Sequence, residues 1–378
     1  MRRKWLALVT LVAVCFGVLT PALAQTGAEE AIPLSLEEAM EMAVTNNLEV
    51  ALRENAVAKA KVSLREARST ADELDALIEY TGATLETLQA VYVGPKAAEM
   101  NLLLAELAAE YTKKGLMLSV EKAYYDVLKA QAEVNLKEAA LERAKEQLRL
   151  AEASVKAGVA AKSDAMAAQV GVTNAEVQLA TARNNLEAAM MALAKVMGRD
   201  LSERYVLTTE FSFAPVEDLD LDAYLAERLE QDVTVVGARE GLAVAELQFE
   251  QMKKMYTPNV YAYQQAQHDL IEAQLKYEQA KTDLVQSVRQ AYLNLKTAEQ
   301  AYRLLEENVK FAEETARLAA LRYEAGVATR LEMQKAYDAL NEAEAQRLSM
   351  LYNYNLAKAQ LRYGIFTGGS GGAGAGGM

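Results

Sequence analysis

The chain is written twice, and this repetition limits what it can fold into more than any other feature. Ala123-Tyr124-Tyr125-Asp126 recurs as Ala291-Tyr292-Leu293-Asn294, 168 residues later. The same offset, without a gap, lays Lys156-Ala157-Gly158-Val159-Ala160 on Glu324-Ala325-Gly326-Val327-Ala328. Upstream the offset is 185. There Leu34-Ser35-Leu36 pairs with Leu219-Asp220-Leu221, and Leu48 and Val50 pair with Val233 and Val235. The first copy therefore holds 17 extra residues between its matched blocks, within 69–117 opposite 254–285.

Heptads run through the matched blocks. Val120, Val127, Val134, Leu141, Leu148 and Val155 form one seam, and Ala123, Ala130, Ala144 and Ala151 a second, interrupted at Lys137. The second copy repeats them with Val288, Leu295, Tyr302, Val309, Ala316 and Tyr323, beside Ala291, Ala298, Leu305, Ala312 and Ala319. A period of 3.5 implies left-handed supercoiling against neighbours, and alanine in one seam lets helices approach closely. Such heptads suit an antiparallel coiled coil with or without a lumen. Gly158 and Gly326 can take the left-handed conformation that closes a helix. A new heptad helix follows each of them, from Ala168 to Val196 and from about Leu331 to Tyr363. Each copy is thus a long helical hairpin with a tight tip. Its ascending arm is about 55 Å long from Ser119 to Val155, or ~90 Å if it begins near Lys96.

Composition agrees with this architecture. Ala, Glu, Leu, Lys, Gln and Arg dominate, as in coiled coils. After the leader only Pro33, Pro95, Pro215 and Pro258 remain, each at a break in the helical pattern. That leader is residues 1–24: Arg2, Arg3 and Lys4, an apolar run from Trp5 to Leu19, then Ala22-Leu23-Ala24. This is the pattern of a cleaved signal peptide, with an uncleaved N-terminal anchor as the alternative. Cys15, with Val14 before it, fits a lipoprotein signal poorly. Cleavage would remove the sole Cys and the sole Trp and move the formal charge from −13 to −16. No disulfide could then form. An acidic chain also lacks the basic footprint that nucleic acid needs. No second apolar stretch reaches the roughly 20 residues of a transmembrane helix.

The expected fold is mainly all-α: two tandem repeats of long antiparallel coiled-coil hairpins with at most a few short strands. The first repeat and its linker occupy 25–217 and the second 218–366. Arg204 to Phe213, rich in Val, Thr, Phe and Tyr, is expected to supply one or two short strands. The Gly-rich tail 367–378 is expected to be disordered.

Leu34-Ser35-Leu36-Glu37-Glu38-Ala39, followed by Asn46-Asn47-Leu48-Glu49-Val50, resembles the N-terminal signature of the TolC family of outer-membrane efflux channels. Arg322 to Glu332, running through Gly326-Val327-Ala328, resembles that family's second hairpin tip. The resemblance covers roughly residues 33–364. It implies a homotrimer whose hairpins form a twelve-helix tunnel, a TolC-like α-barrel. The tips, Gly158, Val159, Ala160, Gly326, Val327 and Ala328, would dock a periplasmic adaptor joined to an inner-membrane transporter. Tyr323 would bond to Asp164 to restrain the gate, and Glu332 would begin an acidic ring whose second position here is Lys335. A further tip Arg of the family is Ala328 here, with Arg330 nearby. The protein would be exported and would lie in the cell envelope, in the outer membrane or the periplasm.

The family also places two membrane strands in each of the intervals 69–117 and 254–285. A spanning strand needs about 9–11 alternating residues. Here Ala71 to Val91 reads as helix broken at Gly82, Lys96 to Lys113 reads as helix again, and Tyr256 to Tyr263 is interrupted by Pro258. The barrel is therefore expected to be absent or vestigial. The alternative function is a non-transporting coiled-coil spacer or scaffold of the envelope.

Nothing in the chain points to catalysis, a metal or a cofactor. Without Cys15, Cys–His chemistry and Cys-rich zinc sites are excluded. The single His, His268, sits in a stretch that reads as exposed helix. No phosphate-cradling glycine motif is present.

Overall fold

The computed structural model describes residues 32–366 apart from Glu210, Glu217 and Asp218. The expectations for the leader and the Gly-rich tail lie outside the described residues. Two helices dominate, α4 (Gly94–Lys156) of 63 residues and α8 (Tyr261–Glu324) of 64. At 1.5 Å per residue each is about 95 Å long. They persist because no proline interrupts their interiors and each can bury an apolar stripe against a neighbour. Helix α5 (Lys162–Val196) returns along α4, and α9 (Arg330–Tyr363) returns along α8. Helices α2 (Leu48–Thr81) and α7 (Val233–Met255) run beside the first parts of α4 and α8, and α4 also packs on α9 across the repeats. The short helices α1 (Leu36–Asn46) and α6 (Leu221–Gln231) open the two repeats.

The expected seams are the buried ones. Val120, Val127, Val134 and Leu141 are buried on α4, and Val288, Leu295, Tyr302, Val309 and Ala316 on α8. Leu148, Val155 and Tyr323, nearest the tips, are half-buried. The outer faces carry charge. Exposed pairs three residues apart, such as Glu146–Arg149 and Glu314–Arg317, serve solubility more than stability.

Among the described residues the only strands are β1 (Ile32–Leu34) and β2 (Tyr205–Leu207). They pair in parallel, Ile32 opposite Tyr205 and Leu34 opposite Leu207. The strand region expected over Arg204 to Phe213 is thus β2 followed by coil. That coil leaves the ladder because its aromatic rings pack sideways. Phe213 stacks on Tyr302 at 4.4 Å and lies 4.8 Å from Tyr354. Strand β1 was not expected, since three residues are too few to display alternation.

The intervals compared with barrel strands are helical with tight reversals. Helix α2 stops at Gly82, and Thr84 and Thr87 cap the single turn α3 (Leu85–Leu88) reciprocally. A π-turn, Gln89–Val93, leads into α4. Its cause is Pro95: without an N–H and with a bulky ring, it displaces the preceding turn, and Gly94 N–H reaches back to Gln89. Helices α7 and α8 are joined by Tyr256 to Val260, containing Pro258. No helix among the described residues is long and apolar enough to cross a membrane.

Tyr124 shows how the first repeat closes. It is fully buried, its hydroxyl donates to the Leu34 carbonyl at 2.9 Å, and it accepts the Thr209 N–H at 3.1 Å. One phenol therefore joins α4, β1 and the linker. Its repeat counterpart Tyr292 is only half-buried, with Lys296 over its ring. Tyr124→Phe is expected to lower unfolding free energy by about 1–3 kcal/mol, by removing a buried hydroxyl's bond to Leu34 and the acceptor of the half-buried Thr209 N–H. Tyr292→Phe should change it by less than ~0.5 kcal/mol. Denaturant midpoints compare the two, and equal shifts would refute the assignment.

Candidate functional site

Both hairpins reverse by the same device. Gly158 and Gly326 have φ of 75° and 73°, a left-handed conformation that strains any residue with a Cβ. Gly158 N–H bonds to Val155 and Val159 N–H to Ser154; Gly326 N–H bonds to Tyr323 and Val327 N–H to Arg322. This is the Schellman arrangement, in which the residue after Gly commonly folds its apolar side chain onto the helix three residues before the cap. Here those helix positions hold Ser154 and Arg322, so the valines have nothing apolar to cover. Val159 is 80% exposed and Val327 75%. Each tip thus points an isopropyl-sized apolar knob into solvent.

The returning helices start with a shared acid. Offset 168 places Asp164 on Glu332, and both occupy the third helical position. Asp164 Oδ2 accepts the Ala161 N–H at 3.1 Å, and Glu332 Oε2 accepts the Thr329 N–H at 2.7 Å and its hydroxyl at 3.0 Å. Thr329 Oγ1 in turn accepts the Glu332 N–H at 3.2 Å, completing a capping box. Ala161 has no side-chain acceptor, so the first hairpin keeps only the acid's half of that box. The Thr329 N–H, then the Thr329 hydroxyl, hold the Glu332 carboxyl below the ordinary carboxylate range.

The two tips come together. A cleft of about 700 Å³ is lined by Leu150, Ser154, Val159, Ala160 and Asp164 from the first hairpin, and by Tyr323, Gly326, Ala328, Arg330 and Leu331 from the second. Asp164 and Tyr323 therefore share one cleft. The hydrogen bond between them is not made within the chain. Asp164 is engaged by the Ala161 N–H, which the alanine cap leaves without another partner, and the Tyr323 hydroxyl is unbonded among the described residues. Glu332 lies on the second tip but points its carboxylate into its own helix start. The repeat offset was the signal that could have revealed Asp164 and Glu332 as one capping device.

Two polar clusters between the repeats were missed. Midway along the bundle, Arg143 meets Asn341 and lies over the Tyr337 ring at 5.8 Å. Nearer the strands, Glu121 is almost wholly buried. Its Oε1 accepts Tyr125 Oη at 2.9 Å and Arg362 Nη1 at 3.3 Å. Burial pushes the Tyr125 hydroxyl far up and that of Tyr363 up to about 12. These contacts bind α4 to α9, and no single-helix pattern reveals which helices of a bundle adjoin. His268 is exposed on α8, and no cluster of three potential metal ligands exists among the described residues.

Comparison with known proteins places these hairpins. The family model described as outer membrane efflux protein matches residues 81–199 and 258–363, more than half the chain and including both tips. Outer membrane protein TolC of Vibrio cholerae is 29% identical over 165 residues, covering 41% of this chain and 37% of that relative's length. A membrane protein from Pseudomonas aeruginosa superposes with a TM-score of 0.67 at 16% identity, covering 89% of this chain and 91% of its own. The CmeC outer membrane channel of Campylobacter jejuni gives 0.64 at 14% identity, covering 88% and 86%. The open state of the MtrE outer membrane channel of Neisseria gonorrhoeae gives 0.64 at 16%, covering 87% and 88%. At these identities the structural likeness is one of fold.

A depressed carboxyl supports the fold while ionised. The Glu332 contribution is complete above the ordinary carboxylate pKa and fades as pH falls through its lowered value. Acidification through that range is expected to lower the protection factors of the amides at the start of α9, that is, their exchange slowing relative to the intrinsic rate at the same pH. Glu332→Ala should show the lowered protection factors already at neutral pH; unchanged protection there would contradict the capping role.

Proposed function

The chain belongs to the outer membrane efflux protein family, and from that membership we propose that it forms a homotrimeric helical conduit for export. It is a protein of the cell envelope and not an enzyme, since the family consists of channels. In the proposed assembly a periplasmic adaptor docks on the hairpin tips and links the conduit to an inner-membrane transporter. Substrate passes through the lumen without covalent chemistry.

The observation that carries this reading is the pair of tips. Two helix reversals far apart in sequence lie side by side, each exposing one valine, around a cleft holding Asp164 and Tyr323. A surface apolar knob on a rigid turn suits a partner's groove, and two in register suit a helical hairpin of an adaptor. The cleft between them supports a gate in which Tyr323, Asp164 and Glu332 restrict passage. The cap on Asp164 leaves the Tyr323 hydroxyl free to bond elsewhere at the mouth.

A spacer or scaffold is the second reading. It is favoured by the helical reversals at 82–93 and 256–260, where the described chain turns without extended strands. Transport separates the two readings.

Reconstituted protein is expected to conduct ions, and Tyr323→Phe with Asp164→Ala should raise conductance or leak. Equal leak in all variants would remove the gate, and a stable monomer by mass would sink the conduit. Val159→Glu with Val327→Glu should weaken adaptor binding about tenfold or more, since each valine loses an apolar contact worth ~1 kcal/mol or more. The assembly mass should stay unchanged. Unaltered affinity would place docking elsewhere.

A further inference from the structure

The end of the molecule opposite the hairpin tips is built from two further reversals. One, from Tyr80 to Pro95, joins α2 to α4; the other, from Met255 to Tyr261, joins α7 to α8. They lie side by side: α7 packs on α3 and on the π-turn, and the Lys254 nitrogen sits over the Tyr92 ring at 5.0 Å. Both long helices start here and finish at the tips, so about 95 Å separates the two ends.

These reversals differ in kind from the rest of the chain. Overall 25% of residues are charged, yet from Tyr80 to Pro95 the only charged side chain is Glu86, and from Met255 to Gln267 there is none. The tips, by contrast, carry Lys156, Lys162, Glu324 and Arg330 within a few residues of their glycines. In place of charge this end exposes tyrosine. Tyr80 is 85% exposed and Tyr261 89%, and Tyr92 and Tyr256 are exposed too, along with Leu77 and Met255. The turn residues Gly82, Ala83, Thr257, Pro258 and Asn259 are also exposed, so the surface is convex. Both segments fall in the intervals that the repeat leaves unmatched, so duplication does not account for tyrosine in each.

We propose that this end rests on the surface of a zwitterionic phospholipid bilayer, with Tyr80, Tyr92, Tyr256 and Tyr261 seated among the headgroups. A tyrosine ring gains from an apolar setting while its hydroxyl stays wet, and the headgroup zone supplies both. The charges fit a neutral partner. Glu79, Glu86 and Glu250 stand against Lys253 and Lys254, close to balance, whereas the whole chain carries −13. Contact with a neutral surface depends little on salt. The lysines lie over aromatic rings, Lys253 over Phe249 at 5.2 Å and Lys254 over Tyr92, which is the pairing that suits the rim of an interfacial contact. A protein partner would call for a pocket to receive its anchoring side chains, and convex turns do not supply one. The proposal goes beyond the conduit reading and holds equally for a spacer.

The test uses the full chain with Cys15→Ser, which removes its only cysteine, and one new cysteine carrying an environment-sensitive dye. Ala83→Cys and Asn259→Cys mark the two reversals, and Val327→Cys marks the opposite end. On phosphatidylcholine vesicles the dye is expected to shift to the blue at Ala83→Cys and Asn259→Cys but not at Val327→Cys, with or without added phosphatidylglycerol. The leader is the same in every variant, so it cannot create that difference. Adding Tyr80→Ser and Tyr261→Ser should weaken vesicle binding at these reporters about tenfold or more, and Tyr80→Trp with Tyr261→Trp should preserve it. Circular dichroism should stay unchanged in both, because the two residues are exposed. A shift at all three positions would mean adsorption without orientation and would overturn the proposal, as would silence at both reversals in protein with unchanged circular dichroism. A shift that needs phosphatidylglycerol would mean attraction to anionic lipid, and a shift produced by an added adaptor but not by vesicles would assign this end to a protein; either result overturns it too. The conduit is decided separately, by mass and conductance.

Discussion

A helix of more than sixty residues is stable in water only if it can bury a stripe along most of its length. That burial, between α4 and α5 and between α8 and α9, is the interaction on which everything else here depends. It holds the reversals at Gly158 and Gly326 at the far end of the molecule, where no globular core supports them. Small residues in the seams keep the helices close, so the hairpin is thin, and much of each helix surface stays open. A thin hairpin has spare faces. One is used inside the chain, where α4 meets α9, and another remains on α5 and α8.

The common architecture of the two repeats makes their differences informative. Both tips use glycine at positive φ, an exposed valine beyond it and an acid at the third position of the returning helix. These shared parts build the reversal. What is not shared is Tyr323, opposite Val155, and Thr329, opposite Ala161. Thr329 completes a capping box that the first hairpin lacks, and Tyr323 brings into the cleft between the tips a hydroxyl unbonded among the described residues. In the proposed gate the difference between the tips lies in those two positions rather than in the acids.

The polar contacts between repeats act differently from the seams. Glu121 held by Tyr125 and Arg362, and Arg143 against Asn341, fix which faces of α4 and α9 meet. A buried carboxylate needs such partners because leaving it without them costs several kcal/mol. Apolar seams tolerate sliding by a heptad; a contact to the buried Glu121 carboxylate does not. Register between the hairpins therefore comes from a few charged residues, and adhesion from many apolar ones.

Local order was legible in the sequence. The 3.5-residue period, the glycine after each heptad run and the four prolines specify where helices begin, persist and stop, because those rules act within a few residues. The duplicated blocks likewise identify two hairpins and their tips. The barrel-like intervals read as helix for the same reason: their spacing is helical and Pro258 and Gly82 break it. Three things required the tertiary structure. Strand β1 is too short to carry a pattern and exists only because β2 and Tyr124 satisfy its backbone. Asp164 and Tyr323 share a cleft without bonding, because the Ala161 N–H has first claim on the carboxylate. And α4 adjoins α9 rather than α8, a choice made by Glu121, Arg143 and their partners. Periodicity tells a helix which face to bury; only the packed bundle decides against what.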